Sequence, residues 1–337
     1  MLTLRKAVFS IFSLGLGIFL LWLVLKLTGV GPDEIVDALR DLNPFYTFLV
    51  LFTTYMHLWL SAYKWKVISQ KVTEEGSSQR DIYMPYITVG ALLGQFMPQQ
   101  LSMMAVQSFA MKFHGLSSLS KSLFAVIYDQ VFNLIVPLLV LPPALLLAFH
   151  KISLSTATFI SILTLFIVPF IVRGWGQPAI LFLAKLYFGF KKRVFRNQPD
   201  VNLDAFFVDA PVFKSRFTIW LFWLAIFRYG NMILRSLFIV MAGGFKISSW
   251  AIVFTNPLVY LSMIVGFTPA NLGLMEWTWI GSLQLFGVPE VEAASYSIVQ
   301  RILFFVATVA IGLYYLAALA IPRLFSRSAS KKGISCD

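Results

Sequence analysis

The chain has 337 residues, of which 58% are hydrophobic, 16% aromatic and only 12% charged. Soluble globular chains carry about 25% charged residues, so a water-soluble enzyme or a nucleic-acid-binding domain is excluded. The formal charge of +12 instead reads as basic loops facing an anionic cytoplasmic leaflet.

In chain order, six segments hold enough apolar residues for helices that span a membrane: 8–28, 44–63, 119–150, 155–173, 217–242 and 290–321. A hydrocarbon core of about 30 Å needs roughly 20 helical residues. Arg5 and Lys6 precede the first segment. It exceeds the roughly 7–15 residues of a signal-peptide core and lacks a small-x-small cleavage site, so it reads as a retained helix. Two further apolar regions, 81–114 and 247–288, are interrupted near the middle by Phe96-Met97-Pro98-Gln99-Gln100 and Phe267-Thr268-Pro269-Ala270-Asn271. Proline removes a backbone donor and clashes with the preceding turn. Each region is therefore expected to be a broken hairpin, re-entrant or made of two short spans.

Charge gives the sidedness. Arg5 and Lys6, then Lys64, Lys66, Lys71 and Arg80, then Lys191, Lys192, Arg193 and Arg196, and finally Arg323, Arg327, Lys331 and Lys332 fall on one face, which the positive-inside rule makes cytoplasmic. Asp33, Glu34, Asp37 and Asp41 fall on the other. Both termini are expected in the cytoplasm, in an inner membrane. The order of spanning helix, broken hairpin and long helix recurs, with Pro98 and Pro269 171 residues apart. The expected architecture is an all-α polytopic membrane protein, residues 1–337 forming one transmembrane domain. Its two halves, 44–150 and 217–321, form an inverted repeat joined by a cytoplasmic linker at 191–216, with a short interfacial helix at 177–190 before it.

Ionisable residues inside a membrane cost about 2.5–3.5 kcal/mol each on insertion scales, so each needs a reason. Arg228, Asn231 and Arg235 stand at i, i+3 and i+7 and form one stripe. Arg301 shares a helix face with Ser297 and Thr308; Asp129 and Asn133 are i and i+4, flanking Gln130; Glu276 follows the second break. Guanidinium forks match phosphate oxygens and stay charged, so the arginines are candidates for holding a lipid phosphate. Asp129 and Glu276 would then balance charge, hold a cationic headgroup or relay a proton. The plain alternative is internal pairing, such as Arg301 with Glu276, and Arg235 has the further option of snorkelling.

No metal or cofactor is expected. The single cysteine is Cys336, and His57, His114 and His150 have no ligand spacing. No phosphate-binding G-x-x-x-x-G-K-[ST] loop and no H-E-x-x-H occurs, and Ser118-Leu119-Ser120-Lys121 lacks the companions of an S-x-x-K nucleophile. An enzyme is therefore not expected.

Thr268-Pro269-Ala270-Asn271-Leu272-Gly273-Leu274-Met275-Glu276, then Gly287-Val288-Pro289 and Arg301, resembles the signature of the lysylphosphatidylglycerol synthetase transmembrane, or flippase-like, family. Members carry T-P-G-G-L-G-x-x-E, G-V-P and a helical arginine. The first half is similar in Pro98, Ser102, Gly115 and Tyr128-Asp129-Gln130. Ala270 and Asn271 replace two glycines, and Gln130 stands where arginine is common. The resemblance implies a stand-alone membrane module that moves or presents a phospholipid or lipid-linked headgroup, without the soluble synthetase domain. Its substrate path would be lined by Arg228, Asn231, Arg235, Arg301, Glu276 and Asp129, with Pro98, Thr268, Pro269 and Asn271 at the breaks. The other reading is a non-transporting partner that presents a lipid-linked substrate to a glycosyltransferase or another lipid-modifying enzyme.

Overall fold

In a computed structural model, residues 2–73, 82–97, 99–114, 119–171, 182, 215–265, 268 and 271–332 are described. They form eleven helices and, among the described residues, no strand. These are α1 (Leu2–Thr28), α2 (Pro32–Arg40), α3 (Pro44–Thr73), α4 (Tyr83–Leu93), α5 (Gln99–Phe113), α6 (Leu119–Ala148), α7 (Leu154–Ile171), α8 (Ser215–Ala242), α9 (Ser249–Val265), α10 (Leu274–Leu285) and α11 (Glu290–Lys332). Pro98, Pro269, residues 191–214 of the expected linker and the expected interfacial helix, apart from Phe182, lie outside the described residues.

Among the described residues, five helices are long and apolar enough to cross a membrane: Pro44–Val72, Lys121–Ala148, Leu154–Ile171, Arg216–Ala242 and Glu290–Tyr315. The count is six if α1 and α2, which meet at 88°, are taken as one bent span. The sequence explains the entry to α3. Pro44 takes the first helical position, where a missing N–H costs nothing, and the Asn43 side chain accepts from the amides of Phe45 (3.0 Å) and Tyr46 (3.3 Å).

Three boundaries differ from the hydropathy reading, and the first is that α1 starts at Leu2, six residues before residue 8. Helix α3 continues past residue 63 to Thr73, and α11 continues past residue 321 to Lys332. Hydropathy marks where an apolar face ends, whereas backbone bonding carries a helix on through polar turns. Lys64, read from sequence as part of a basic loop, is consequently a helical residue and is buried.

The two interrupted regions are helix pairs, α4 with α5 and α9 with α10. At 1.5 Å per residue, α4 with 11 residues and α10 with 12 are roughly 16 and 18 Å long, short of a core of about 30 Å. Helix α3 packs on α8, α6 on both, and α11 on both; the first hairpin reaches α11 through α4, and the second reaches α6 through α9. Trp65, Ile68, Met111, Phe132, Leu221 and Phe222 fill one apolar core. Ile239, Ile252, Trp279, Leu283, Tyr296 and Val299 fill a second. Phe45, Phe48, Phe52 and Trp59 on α3, and Phe159, Phe166 and Phe170 on α7, face outward, as expected where the solvent is lipid.

Trp279 is fully buried, its ring 5.2 Å from Tyr296 at 75°. Trp279→Ala is expected to cost about 3–5 kcal/mol, read as a lower midpoint in detergent unfolding followed by tryptophan fluorescence. Phe166→Ala on the outward face is expected to change the midpoint little.

Candidate functional site

The first polar cluster joins α3, α6 and α8. Successive turns of α3 present Thr53, His57, Ser61 and Lys64 on one face, and α6 presents Asp129 and Asn133 one turn apart. The Lys64 ammonium lies 3.0 Å from Asp129 Oδ1, with both side chains excluded from solvent. It also donates to the Asp129 carbonyl at 3.3 Å and to Asn133 Oδ1. Asn133 is the hub. Its oxygen also accepts from Arg228 Nη1 at 2.9 Å, and its amide nitrogen faces Asp129 Oδ2 (3.4 Å) and Gln130 Oε1 (3.3 Å).

Arg228 spends its other donors on α3. Nε donates to Ser61 Oγ at 2.8 Å, and Nη2 meets His57 Nε2 at 3.1 Å. A guanidinium only donates, so His57 Nε2 accepts and the imidazole is the neutral form with its proton on Nδ1. One turn on, Asn231 donates to the Thr53 carbonyl at 2.7 Å. Arg228 and Asn231 thus work as one stripe against α3, as their spacing implied.

Arg235 does not join them. It is only 5% exposed, so it does not snorkel, and its Cζ lies 4.5 Å from the centre of the Phe304 ring on α11. Its Nε and Nη1 are buried without hydrogen-bond partners.

The second cluster is built at the end of the second hairpin. Glu276 is fully buried; one oxygen pairs with Arg301 Nε, and the other accepts the Gly273 amide at 2.8 Å. Arg301 Nη2 donates to the Asn271 carbonyl at 3.3 Å. The glutamate therefore caps α10 and anchors the break to α11 together. The motif residues have physical reasons. Asn271 and Gly273 are left-handed, with φ of 55° and 80°, and asparagine is among the few other residues that tolerate this where glycine is absent. A Cβ on Gly273 would also overlap Leu20 of α1, and Trp277 Nε1 donates to the Leu20 carbonyl at 3.2 Å. Thr268 is buried beside the break, and the Asn271 backbone amide donates to its carbonyl at 3.0 Å.

The structure brings Arg228, Asn231 and Asp129 into one cluster and Arg301, Glu276 and Asn271 into another, with Arg235 apart from both. Lys64, Ser61 and His57 are members that sequence reasoning missed. The available signal was their spacing on the face of α3 that also carries Thr53. Among the described residues, no group of three or more His, Cys, Asp or Glu side chains is placed to hold a metal.

An all-helical bundle with apolar outer faces and ionised groups sealed between its long helices defines a multi-pass integral membrane protein. The lysylphosphatidylglycerol synthase TM region matches residues 10–312, and the chain belongs to that family, which gives it a lipid-related role in the membrane. No curated protein matches the chain.

Asp129→Leu would leave Lys64 without its carboxylate, and is expected to cost about 3–5 kcal/mol in detergent unfolding. Adding Lys64→Met should recover more than half of that loss. Gly273→Ala combines a left-handed backbone with the Leu20 overlap and is expected to cost about 2 kcal/mol or more. Asn271→Gly, by contrast, should fold with little change in midpoint.

Proposed function

We propose that the chain is a lipid translocase, which moves a phospholipid or lipid-linked headgroup across the cytoplasmic membrane between the two halves of a repeat. The observation that carries this reading is the set of ionised side chains held inside an apolar bundle whose family has a lipid-related role. Groups this costly in a membrane are expected on a pathway for a polar cargo. The phosphate would pass along Arg228, Arg235 and Arg301. With no ATP-binding loop in the sequence, the drive would be a lipid gradient, a proton or the membrane potential. Moving one charge through 100 mV is worth about 2.3 kcal/mol. The chain would act as a transporter and not as an enzyme, with both termini in the cytoplasm.

The packing map supports the repeat. Exchanging α3 with α8, α4 with α9, α5 with α10 and α6 with α11 carries the main neighbour pairs onto one another: α4 on α11 becomes α9 on α6, and α3 on α6 becomes α8 on α11. Helices α3 and α8 start at 44 and 215, and α6 and α11 at 119 and 290, the same 171-residue shift that separates Pro98 from Pro269. In the transporter form of this design the two short hairpins enter from opposite faces and meet near mid-membrane.

The test is transbilayer movement of labelled lipids in proteoliposomes, with anionic, zwitterionic and aminoacylated headgroups. Wild-type protein should move at least one of them, and Arg228→Ala, checked for folding, should slow it about tenfold or more. If wild type moves none of them under any applied gradient, the translocase reading fails. The search would then turn to a partner enzyme to which the chain presents a lipid-linked substrate.

A further inference from the structure

The two halves treat equivalent cations differently. The 171-residue shift carries Lys64 onto Arg235, Asp129 onto Gln300 and Asn133 onto Phe304. The contacts obey it: Lys64 meets Asn133 on α6, and Arg235 meets Phe304 on α11. In the first half the cation finds a carboxylate and an amide. In the second half the corresponding positions hold a neutral glutamine and a phenyl ring. Gln300 is buried, and its Oε1 has no hydrogen-bond partner, so it does not satisfy Arg235 either. Tyr296, one turn before Gln300 on α11, uses its hydroxyl on the Ser236 carbonyl at 3.4 Å.

Arg235 is thus a guanidinium sealed from water with Nε and Nη1 unpartnered. Burying such a group without a compensating charge is costly, and the only other cation on its helix face, Arg228, adds repulsion rather than relief. The charge inventory points the same way. The two clusters and Arg235 hold four cations, Lys64, Arg228, Arg235 and Arg301, against two carboxylates, Asp129 and Glu276.

We propose that Arg235 is the anion-binding group of the second half, and that it takes the phosphate of a lipid whose headgroup carries net negative charge. The lipid as source rests on the translocase reading; the anion site rests on the geometry alone. A guanidinium fork suits two phosphate oxygens, and Phe304 keeps water away from the pair. An excess of buried cations disfavours a headgroup that brings its own ammonium, so an aminoacylated phosphatidylglycerol is a poor occupant.

The experiment uses full-length protein in a neutral detergent. It is titrated with short-chain phosphatidylglycerol, phosphatidylcholine, lysyl-phosphatidylglycerol or inorganic phosphate. Bound lipid is read by native mass spectrometry and stability by thermal unfolding. Phosphatidylglycerol should bind and stabilise wild type, and the other two lipids should bind about tenfold or more weakly. Arg235→Met should weaken phosphatidylglycerol about ten- to hundredfold.

Gln300→Glu supplies the missing acid. It should raise the melting temperature without lipid and abolish the phosphatidylglycerol-dependent rise, so loss of binding is separated from loss of folding. Protection by inorganic phosphate at matching concentration supports the anion site and assigns it to a free phosphate. Equal binding of lysyl-phosphatidylglycerol, or undiminished phosphatidylglycerol binding by Gln300→Glu, overturns the proposal. Binding that follows these expectations without movement in proteoliposomes would sink the translocase reading and leave the anion site standing.

Discussion

The fold depends on an ion pair that lipid cannot replace. Lys64 and Asp129 lie 3.0 Å apart with no access to solvent, and Asn133 couples that pair to Arg228 through a single oxygen. One amide thereby ties α3, α6 and α8 together. In a membrane the usual hydrophobic drive between helices is absent, and association rests on close packing and polar contacts. Unpaired, any of these groups would face hydrocarbon, so the three helices hold one relative placement or pay for exposed charge. Stability and polarity are the same feature in this half of the molecule.

The second half solves its charge problem elsewhere. Its acid, Glu276, is on the short helix α10 and not on the long helix α11, so its ion pair fastens a hairpin instead of a helix crossing. The two helix crossings therefore hold unlike chemistry: Lys64 finds a carboxylate at its crossing, and Arg235 finds none.

Much of this was legible in the sequence because membranes impose strict rules. Low charge and long apolar runs announced a polytopic bundle, and the prolines at 98 and 269 located the two interruptions. The spacing of Asp129 and Asn133 put them on one face, and Arg301 with Glu276 was already a candidate pair. Lys64 was not legible. It follows an apolar run and is close to Lys66 and Lys71, so its charge pattern is that of a loop, while its partner is on another helix. The isolation of Arg235 was equally hidden, since only the packing of α8 on α11 reveals that its neighbour is Phe304. Local pattern fixes which groups are costly to bury; tertiary contact decides which of them are compensated.

Helix α1 lies outside the paired halves, yet it closes on the second hairpin. Leu20 packs where Gly273 has no side chain, and its carbonyl receives the indole of Trp277, 257 residues later in the chain. Ribosomes add about 5–20 residues per second, so α1 waits roughly 10–50 s for this partner to be made. During that interval its Gly17 and Leu20 surface is open to lipid or to the insertion machinery. This fastening thus joins segments made far apart in time, and the second hairpin is locked to α1 only once residues 274–285 have been synthesised.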